Sequence, residues 1–506
     1  MTPTPSAAPG SPLDLAGRVQ KLQSILDVAK QMAAERDIDN LLPLIASHAS
    51  NVAAAERCSI FILDRKSNEL WSKVAQGAKE QIRLPLGSGI AGTVAQTGTV
   101  INIEDAYQDE RFNRSFDDAT GFKTRTILAV PMRDANGEVT GVIQALNKRQ
   151  GTFNAEDEEL LLALGGQAAS AVENAQLHGD ISRLFEGFVN ASVVAIESRD
   201  PTTAGHSGRV ASLTVELARA TMKLSRGPYE GTRFTDEQLR EIRYASLLHD
   251  FGKVGVREPV LVKADKLYPH ELDLLRARFQ LARKDRELQS FRRRLEVARQ
   301  NGPAALAELE RQEEQAMLTS LKELDEVMEF ILACNRPTVL AEGGFERLAG
   351  LSRIAFQDAF GQTQPLLNEH EVKVLSIRKG SLSQDERVEI ESHVTHTYKF
   401  LSEIPWTPDL RRVPEIAWAH HEKLNGKGYP RRIPAPEIPL QSKMMAISDI
   451  YDALTASDRP YKKAIPPTKA LDILKSEANE GLIDAELFQV FWEADVPRKA
   501  LTPPTR

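Results

Sequence analysis

The stretch "HHEKLNGKGYP", residues 420–430, sets two imidazoles side by side ahead of a glycine-rich loop, in a chain with ten histidines among 506 residues. Other histidines keep similar company: His206 in "AGHSGRV", His249 beside Asp250 in "LLHDFGK", and His393 with His396 in "ESHVTHT". Asp449 and Asp452 stand in "AISDIYDAL". A His-Asp pair that closes an apolar helix is costly to bury without partners. A divalent cation satisfies both side chains at once. Imidazole and carboxylate without thiolate suit iron, manganese or zinc, and suit copper(I) poorly. Such a set can hold two ions if Asp250 bridges them. Two ions a few ångströms apart lower the pKa of a shared water and clamp a phosphate for in-line displacement. His48, His178, His270 and His370 have no such surroundings. His396 follows His393 by three residues, so it can support a ligand from the same helical face.

These side chains need elements to position them. "LDLAGRVQKLQSILDVAKQMAAERDIDNLL" carries Leu13, Leu22, Ile25, Leu26 and Val28 at near-helical spacing. "RCSIFILDRKSNELWSKVA" reads as a hairpin around Arg65–Asn68, and "TRTILAVPMRDANGEVTGVIQALNKRQ" as another around Ala135–Gly137. The glycines of "LPLGSGIAGTVAQTGTVINIED" mark a loop that yields to a helix and then a strand. Helices at both ends of these strands predict an α+β domain over residues 38–175. A proline-free helix runs from Ala155 to Asp200, able to transmit a shift between domains or simply to space them.

Beyond Asp200 strand signals nearly vanish and the chain reads as helical, with an interruption at about 273–375. There Leu281, Leu288, Phe291, Leu295 and Ala298 recur at steps of seven, three, four and three. Asn301-Gly302-Pro303 breaks the pattern, and Leu306, Leu309, Leu321 and Leu324 resume it. The expectation is an antiparallel helical hairpin, charged on its outside, packed on itself or offering a partner surface.

Composition narrows the class. Hydrophobic residues at 42% and charged residues at 27% are ordinary for a globular chain. A net charge of −7 argues against a whole-chain grip on nucleic acid, while leaving room for a local basic pocket. The two cysteines, Cys58 and Cys334, exclude a disulfide framework and thiolate zinc clusters. No apolar run approaches the roughly 20 residues that span a bilayer. The N-terminal "MTPTPSAAPGSP" lacks the pattern of a signal peptide and reads as a disordered tail over 1–12. The predicted location is the cytoplasm.

Two resemblances carry this further. The order "SIFILD", "GSGIAGTVAQTG", "VPM", "GVIQALNK" and "F…DEELL" resembles a GAF domain, a small-ligand sensor fold. Asn147, Lys148, Phe153, Asp157 and Glu158 match the NK…FxxxDE pattern of cyclic-nucleotide-binding GAF domains. That pattern reads here as a fold-stabilising lysine–carboxylate pair. In the second half, His249-Asp250-Phe251-Gly252-Lys253 matches the HDxGK signature of HD metal-dependent phosphohydrolases. "HHEKLNGKGYP" resembles the HHExxDGxGYP signature of the HD-GYP subgroup, which is implied to hydrolyse cyclic di-GMP to pGpG or GMP. The implied architecture is multidomain: a tail (1–12), an N-terminal helix (13–37), an α+β GAF domain (38–175), a linker helix (176–200), and an all-α HD-GYP domain (201–500) carrying the helical-hairpin insertion.

The resemblance implies two divalent metal ions, iron or manganese, held by His206, His249, Asp250, His393, His420, His421 and Asp449. Asp250 and Lys253 would be catalytic, with Lys253 on the scissile phosphate. Arg459, Lys462 and Tyr429 would hold substrate, Tyr429 from an exposed, stiff loop. Glu422 is expected to hold a ligating imidazole. Asn425 replaces the aspartate of the signature, which predicts altered loop hydrogen bonding without loss of a metal. Thr202 stands where some members carry a glutamate for a third ion, which favours two. Implied partners are cyclic di-GMP, a small ligand at the GAF domain, a protein at the GYP loop and a second copy. Alternatives are a non-catalytic cyclic di-GMP receptor, a phosphodiesterase for another cyclic dinucleotide, and a helical scaffold working through its insertion.

Overall fold

The computed structural model describes residues 26–75, 82–200, 204–301, 303–337, 343–456 and 464–501. It forms two compact units, Met1–Gly187 and Phe188–Arg506. The expected tail lies outside the described residues. So does the first half of the expected N-terminal helix, of which residues 26–34 are described and helical. Among the described residues no helix is long and apolar enough to cross a membrane.

The first unit is built on a six-stranded antiparallel sheet: β1 (Ala55–Asp64), β2 (Glu69–Ala75), β3 (Ile82–Pro85), β4 (Ile101–Ile103), β5 (Ile127–Arg133) and β6 (Val139–Lys148), in the order β3-β2-β1-β6-β5-β4. Both expected hairpins are present, β1 pairing with β2 and β5 with β6. Side chains of a strand alternate between faces, and here both faces are covered. Ile60, Ile62, Leu128, Val130 and Ile143 pack with Leu41, Leu42 and Ile45 of the Ile38–Val52 helix, and with Leu161, Leu164, Ala168 and Val172 of the Ala155–Arg199 helix. Phe61, Ile127, Ala129 and Val142 pack on the other side with Ile90, Ala91 and Val94 of the Gly89–Thr97 helix. Double coverage explains why β5 reads as an unbroken apolar run. On that second side a cavity of about 450 Å³ is lined by Phe61, Phe112, Phe122, Arg57 and Gln144.

The lysine–carboxylate pair takes the structural role read from the sequence. Lys148 Nζ lies 2.6 Å from Asp157 Oδ1 and donates to the Ala53 carbonyl at 3.0 Å, with both side chains largely buried. It ties β6 to the start of the Ala155–Arg199 helix and to the end of Ile38–Val52. That long helix then leaves Leu177, Ile181, Leu184 and Phe188 exposed.

In the second unit the helices His206–Thr221, Asp236–Leu248, Leu440–Thr455, Pro467–Asn479 and Ala485–Glu493 share a core of Leu213, Leu217, Ile242, Met444, Ile447, Leu474, Leu487 and Phe491. The insertion has a separate core, with Leu275, Phe279 and Ala282 meeting Leu324, Ile331, Leu348 and Leu375. Helices Pro269–Asn301 and Pro303–Asn335 form the expected hairpin, joined by Arg283–Asp325 and Arg293–Glu313 ion pairs. Two findings depart from the sequence reading. The stripe Leu281, Leu288, Phe291 and Leu295 faces solvent, because the hairpin contact falls on the opposite side of the helix and accepts Asp285 and Ser290 into its buried surface. The insertion also adds a two-stranded ribbon, Ala355–Gln357 with Thr363–Pro365.

The neck of the insertion is fastened to the helix that precedes His393. Glu386, in a capping box with Ser383 at the start of Gln384–Glu391, takes Lys263 Nζ at 2.8 Å and the Tyr268 hydroxyl at 2.5 Å. Burial pushes the Glu386 carboxyl up, but these donors outweigh it and hold it at about 2.

Two outcomes follow. Lys148→Met leaves Asp157 buried and unpaired, and should cost about 3 kcal/mol of stability in the first unit by denaturant unfolding. A loss under about 1 kcal/mol would show the pair to be incidental. Glu386 has a folded pKa below its unfolded value of 4.5, so its contribution is complete above pH ~4.5 and fades as pH falls toward 2. The stability advantage of the native chain over Glu386→Gln should therefore be large at pH 6 and shrink at pH 3. An advantage independent of pH would refute this coupling.

Candidate metal centre

Three of the expected histidines sit just past helix C-termini. His249 caps Asp236–Leu248, His393 follows Gln384–Glu391, and His420 follows Val413–Trp418. The last carbonyls of a helix lack intrahelical donors, and each ring supplies one. Nδ1 lies 2.7 Å from the Ser246 carbonyl in His249, 2.5 Å from that of Ile390 in His393, and 2.6 Å from that of Ala417 in His420. A carbonyl can only accept, so Nδ1 carries the proton and Nε2 keeps its lone pair. The Nε2 atoms of His393 and His420 are buried, with no hydrogen-bond partner among the described residues.

Ligand-type atoms of His206, His249 and Asp250 lie within 4.8 Å of one another, as do those of His393, His420 and His421. Asp250 spans the two triplets. Its Oδ2 is 3.5 Å from His249 Nε2 and 3.8 Å from His206 Nε2, while Oδ1 is 3.2 Å from His393 Nε2. Asp449 spans them as well, with Oδ1 at 3.3 Å from His206 Nε2 and Oδ2 at 3.9 Å from His421 Nδ1. All seven residues expected as ligands thus gather in one place, although the insertion separates three of them from four in sequence. Donors bound at about 2.1 Å around a tetrahedral ion stand about 3.4 Å apart, so these spacings and the orphaned Nε2 atoms fit divalent cations.

Electrostatics agree. Burial pushes His420 well below the usual imidazole range and His421 down to about 3, so both rings are neutral lone-pair donors. Burial opposes charge on His206 too, but hydrogen bonds with Asp449 and Asp452 lift it to about 9. Burial would raise the Asp250 carboxyl, yet Lys253 and the surrounding histidines keep it well below its ordinary value. Lys253 Nζ stands 2.9 Å from Asp250 Oδ2 and 3.1 Å from Asp200 Oδ2.

Several supports escaped the sequence reading. Asp452 Oδ2 lies 2.7 Å from His206 Nδ1, and Arg209 grips both Asp452 oxygens, at 2.6 and 3.1 Å. The i, i+3 spacing of His206 to Arg209 and of Asp449 to Asp452 was the available signal. Thr397 Oγ1 donates to the His249 carbonyl at 3.0 Å and accepts from the Gly252 amide at 2.8 Å. Gly252 makes this approach possible, since a Cβ there would collide with the His393 carbonyl and the Thr397 amide. His396 belongs to neither triplet and packs on Gly255.

Two expectations are corrected. Glu422 holds no imidazole. Its carboxylate accepts from the amides of Arg431, Arg432 and Ile433 at 2.7, 3.1 and 3.3 Å, because a tight loop leaves its amides free and a buried carboxylate satisfies them. Tyr429 is half-buried, not exposed. With the loop folded back, its ring centroid lies 4.7 Å from that of His421 and 6.5 Å from that of His393. Arg431 stacks on Trp418 at 4.1 Å, and Trp418 on Tyr398 at 3.9 Å, which backs the same loop. Asn425 accepts from the Lys427 amide at 3.0 Å, a loop contact away from the ligands. Arg459, Lys462 and Thr202 lie outside the described residues.

Residues 37–172 match the family profile of GAF domains, and residues 370–487 that of HD domains. The chain thus carries a GAF domain followed by an HD-type domain. The HD match begins after the hairpin, while His206, His249 and Asp250 precede it. Over 174 residues the chain is 34% identical to a probable 3′,5′-cyclic phosphodiesterase of Caenorhabditis elegans, covering 31% of this chain and 24% of that protein. Over 166 residues it is 34% identical to a dual 3′,5′-cyclic-AMP and -GMP phosphodiesterase of Takifugu rubripes, covering 30% and 18%. The chain therefore spans about a quarter or less of the length of these curated relatives. A solved GAF domain from a phosphoenolpyruvate-protein phosphotransferase of Coxiella burnetii aligns at 22% identity and a TM-score of 0.29, covering 32% of this chain and 98% of that one.

Asp452→Asn should weaken divalent-metal affinity about 10- to 100-fold while leaving the helical circular dichroism intact. Chelator competition measures this, and an unchanged affinity would remove Asp452 from the site's design.

Proposed function

We propose that the protein is a metal-dependent phosphodiesterase of the HD-GYP subgroup, hydrolysing cyclic di-GMP to pGpG or GMP under control of its GAF domain. The observation that carries this reading is the pair of carboxylates, Asp250 and Asp449, each reaching both histidine triplets. His206 and His249 would hold one ion and His393, His420 and His421 the other, with Asp250 and Asp449 shared between them. When bound, two divalent cations supply a nucleophilic water near neutral pH and neutralise phosphate charge.

The chain's own residues then do the rest. Helix-end carbonyls fix three rings in the tautomer that presents Nε2. Asp452, steadied by Arg209, orients His206. Lys253 keeps its positive charge beside Asp250, where a substrate phosphate can compete with Asp200 for it. Tyr429 sits against His421, placed to meet substrate rather than a protein partner. Arg459 and Lys462 complete the proposed phosphate grip. The cavity on the GAF sheet is the place for a regulatory small ligand, its phenylalanines facing a planar body and Arg57 and Gln144 its polar edge. A second reading, a phosphodiesterase for cyclic mononucleotides, is favoured by the names of the curated relatives.

The test is turnover of cyclic di-GMP, a mixed guanine–adenine cyclic dinucleotide, cyclic AMP and cyclic GMP by the full chain with iron(II) or manganese(II), beside Asp250→Ala. The expected result is metal-dependent linear product from cyclic di-GMP, reduced on the order of 10³-fold or more in the variant together with its bound metal. Preference for a mononucleotide would transfer the assignment to the second reading. Nucleotide binding without product would make the protein a receptor.

A further inference from the structure

The Ala155–Arg199 helix ends on the short turn that carries Lys253. Val189, Ser192, Ile196 and Asp200, at steps of three, four and four, are all buried, so one face of the last turns is packed. The Asp200 amide closes the final turn on the Ile196 carbonyl at 3.1 Å. Pro201 follows in sequence and stops the helix there. Two consecutive residues then fasten this end. Arg199 Nη2 donates to the Val256 carbonyl at 3.2 Å, just past the Phe251–Gly255 turn. Lys253 Nζ donates to Asp200 Oδ2 at 3.1 Å. A helix C-terminus carries partial negative charge, so a carboxylate buried in that place works against the helix that bears it. Its use lies in what it holds.

We propose that Asp200 is a positioning residue for the reaction: it aims the Lys253 ammonium at the substrate phosphate. The inference rests on the phosphodiesterase reading above. An ammonium has three N–H donors in a tetrahedral fan. Nζ lies 2.9 Å from Asp250 Oδ2 and 3.1 Å from Asp200 Oδ2. Two donors are thus directed at carboxylates, which sets the direction of the third for a phosphate oxygen. Asp250 alone does not achieve this. Its Oδ2 also faces His249 Nε2 at 3.5 Å and His206 Nε2 at 3.8 Å. Asp200 stands outside both ligand triplets, so its hold on the lysine does not depend on what those nitrogens bind. The carboxylate that orients the lysine therefore closes the helix that starts at Ala155 in the first unit, and is no part of the HDxGK motif.

Asp200 and Lys253 are tested together in the full chain with manganese(II), on whichever nucleotide of the panel above the native protein turns over. Asp200→Ala should lower kcat/KM about 10- to 100-fold, with bound metal and helical circular dichroism unchanged. In a Lys253→Met background the same substitution should cost less than about twofold, because a residue that acts through the lysine has nothing left to aim. Calorimetric binding of a hydrolysis-resistant phosphorothioate analogue of that nucleotide should show the same non-additivity. Asp200→Asn keeps the shape and one acceptor oxygen, so it should fall between the native chain and Asp200→Ala. It replaces the alanine variant in both backgrounds if that variant fails to fold. Equal losses in the two backgrounds, full activity in Asp200→Ala, or metal lost with the carboxylate would overturn the proposal. A native chain that turns over none of the nucleotides would defeat the phosphodiesterase reading and this inference with it. An active chain with additive losses defeats this inference alone.

Discussion

The hydrogen bond from a histidine Nδ1 to a helix-end carbonyl is the constraint on which the second unit is organised. Made three times, by His249, His393 and His420, it solves two problems with one contact. The helix loses an orphan acceptor and the ring loses its freedom to choose a tautomer. Three helices must therefore end at one point, and Ile242 of the first packs with Leu213 and Met444 in the core of the unit. Gly252 and Thr397 follow from the same demand, since the segment after His249 has to lie against the start of the His393 helix. Without a side chain at residue 252 the backbones touch; with one, they would part.

The insertion shows how such a site tolerates a large interruption. More than a hundred residues separate Asp250 from His393, yet both ends of the inserted segment are pinned. Lys266 donates from a fully buried position to the Leu375 carbonyl at 3.0 Å, and its own amide reaches Asn335 at 2.9 Å. Glu386 then holds Lys263 and Tyr268. With its own core and a fastened neck, the insertion adds structure without drawing on the site's packing.

Much of the architecture was legible because it is local. The hairpin turns, the long proline-free helix and the His-Asp motifs each announce themselves within a few residues. All seven candidate ligands could be named for that reason. What lay hidden was the set of partners. Asp452 meets His206 across 246 residues of chain, and the carbonyls that fix the tautomers have no side-chain identity to read. Glu422 misled because adjacency to His421 suggested a ligand support, whereas its carboxylate went to three free amides on the other side of the loop. The heptad stripe misled differently. Periodicity reports that a face is apolar and is silent on what covers it, and the hairpin used another face by burying Asp285 and Ser290.

The same residues set the charge of the site. Burial keeps His249, His420 and His421 uncharged, while Asp250 and Asp449 remain ionised beside them. The two carboxylates are answered by Lys253 and by a proton on His206. A divalent ion held by these residues would take the place of that proton on the His206 nitrogen facing Asp449. Asp452, held by Arg209, would keep His206 aligned through such an exchange, since its contact is with Nδ1 and the proton facing Asp449 is on Nε2. The protein thus holds the ring still on one side and leaves the other side free to change its charge, which is the condition for exchanging a proton for a metal without refolding.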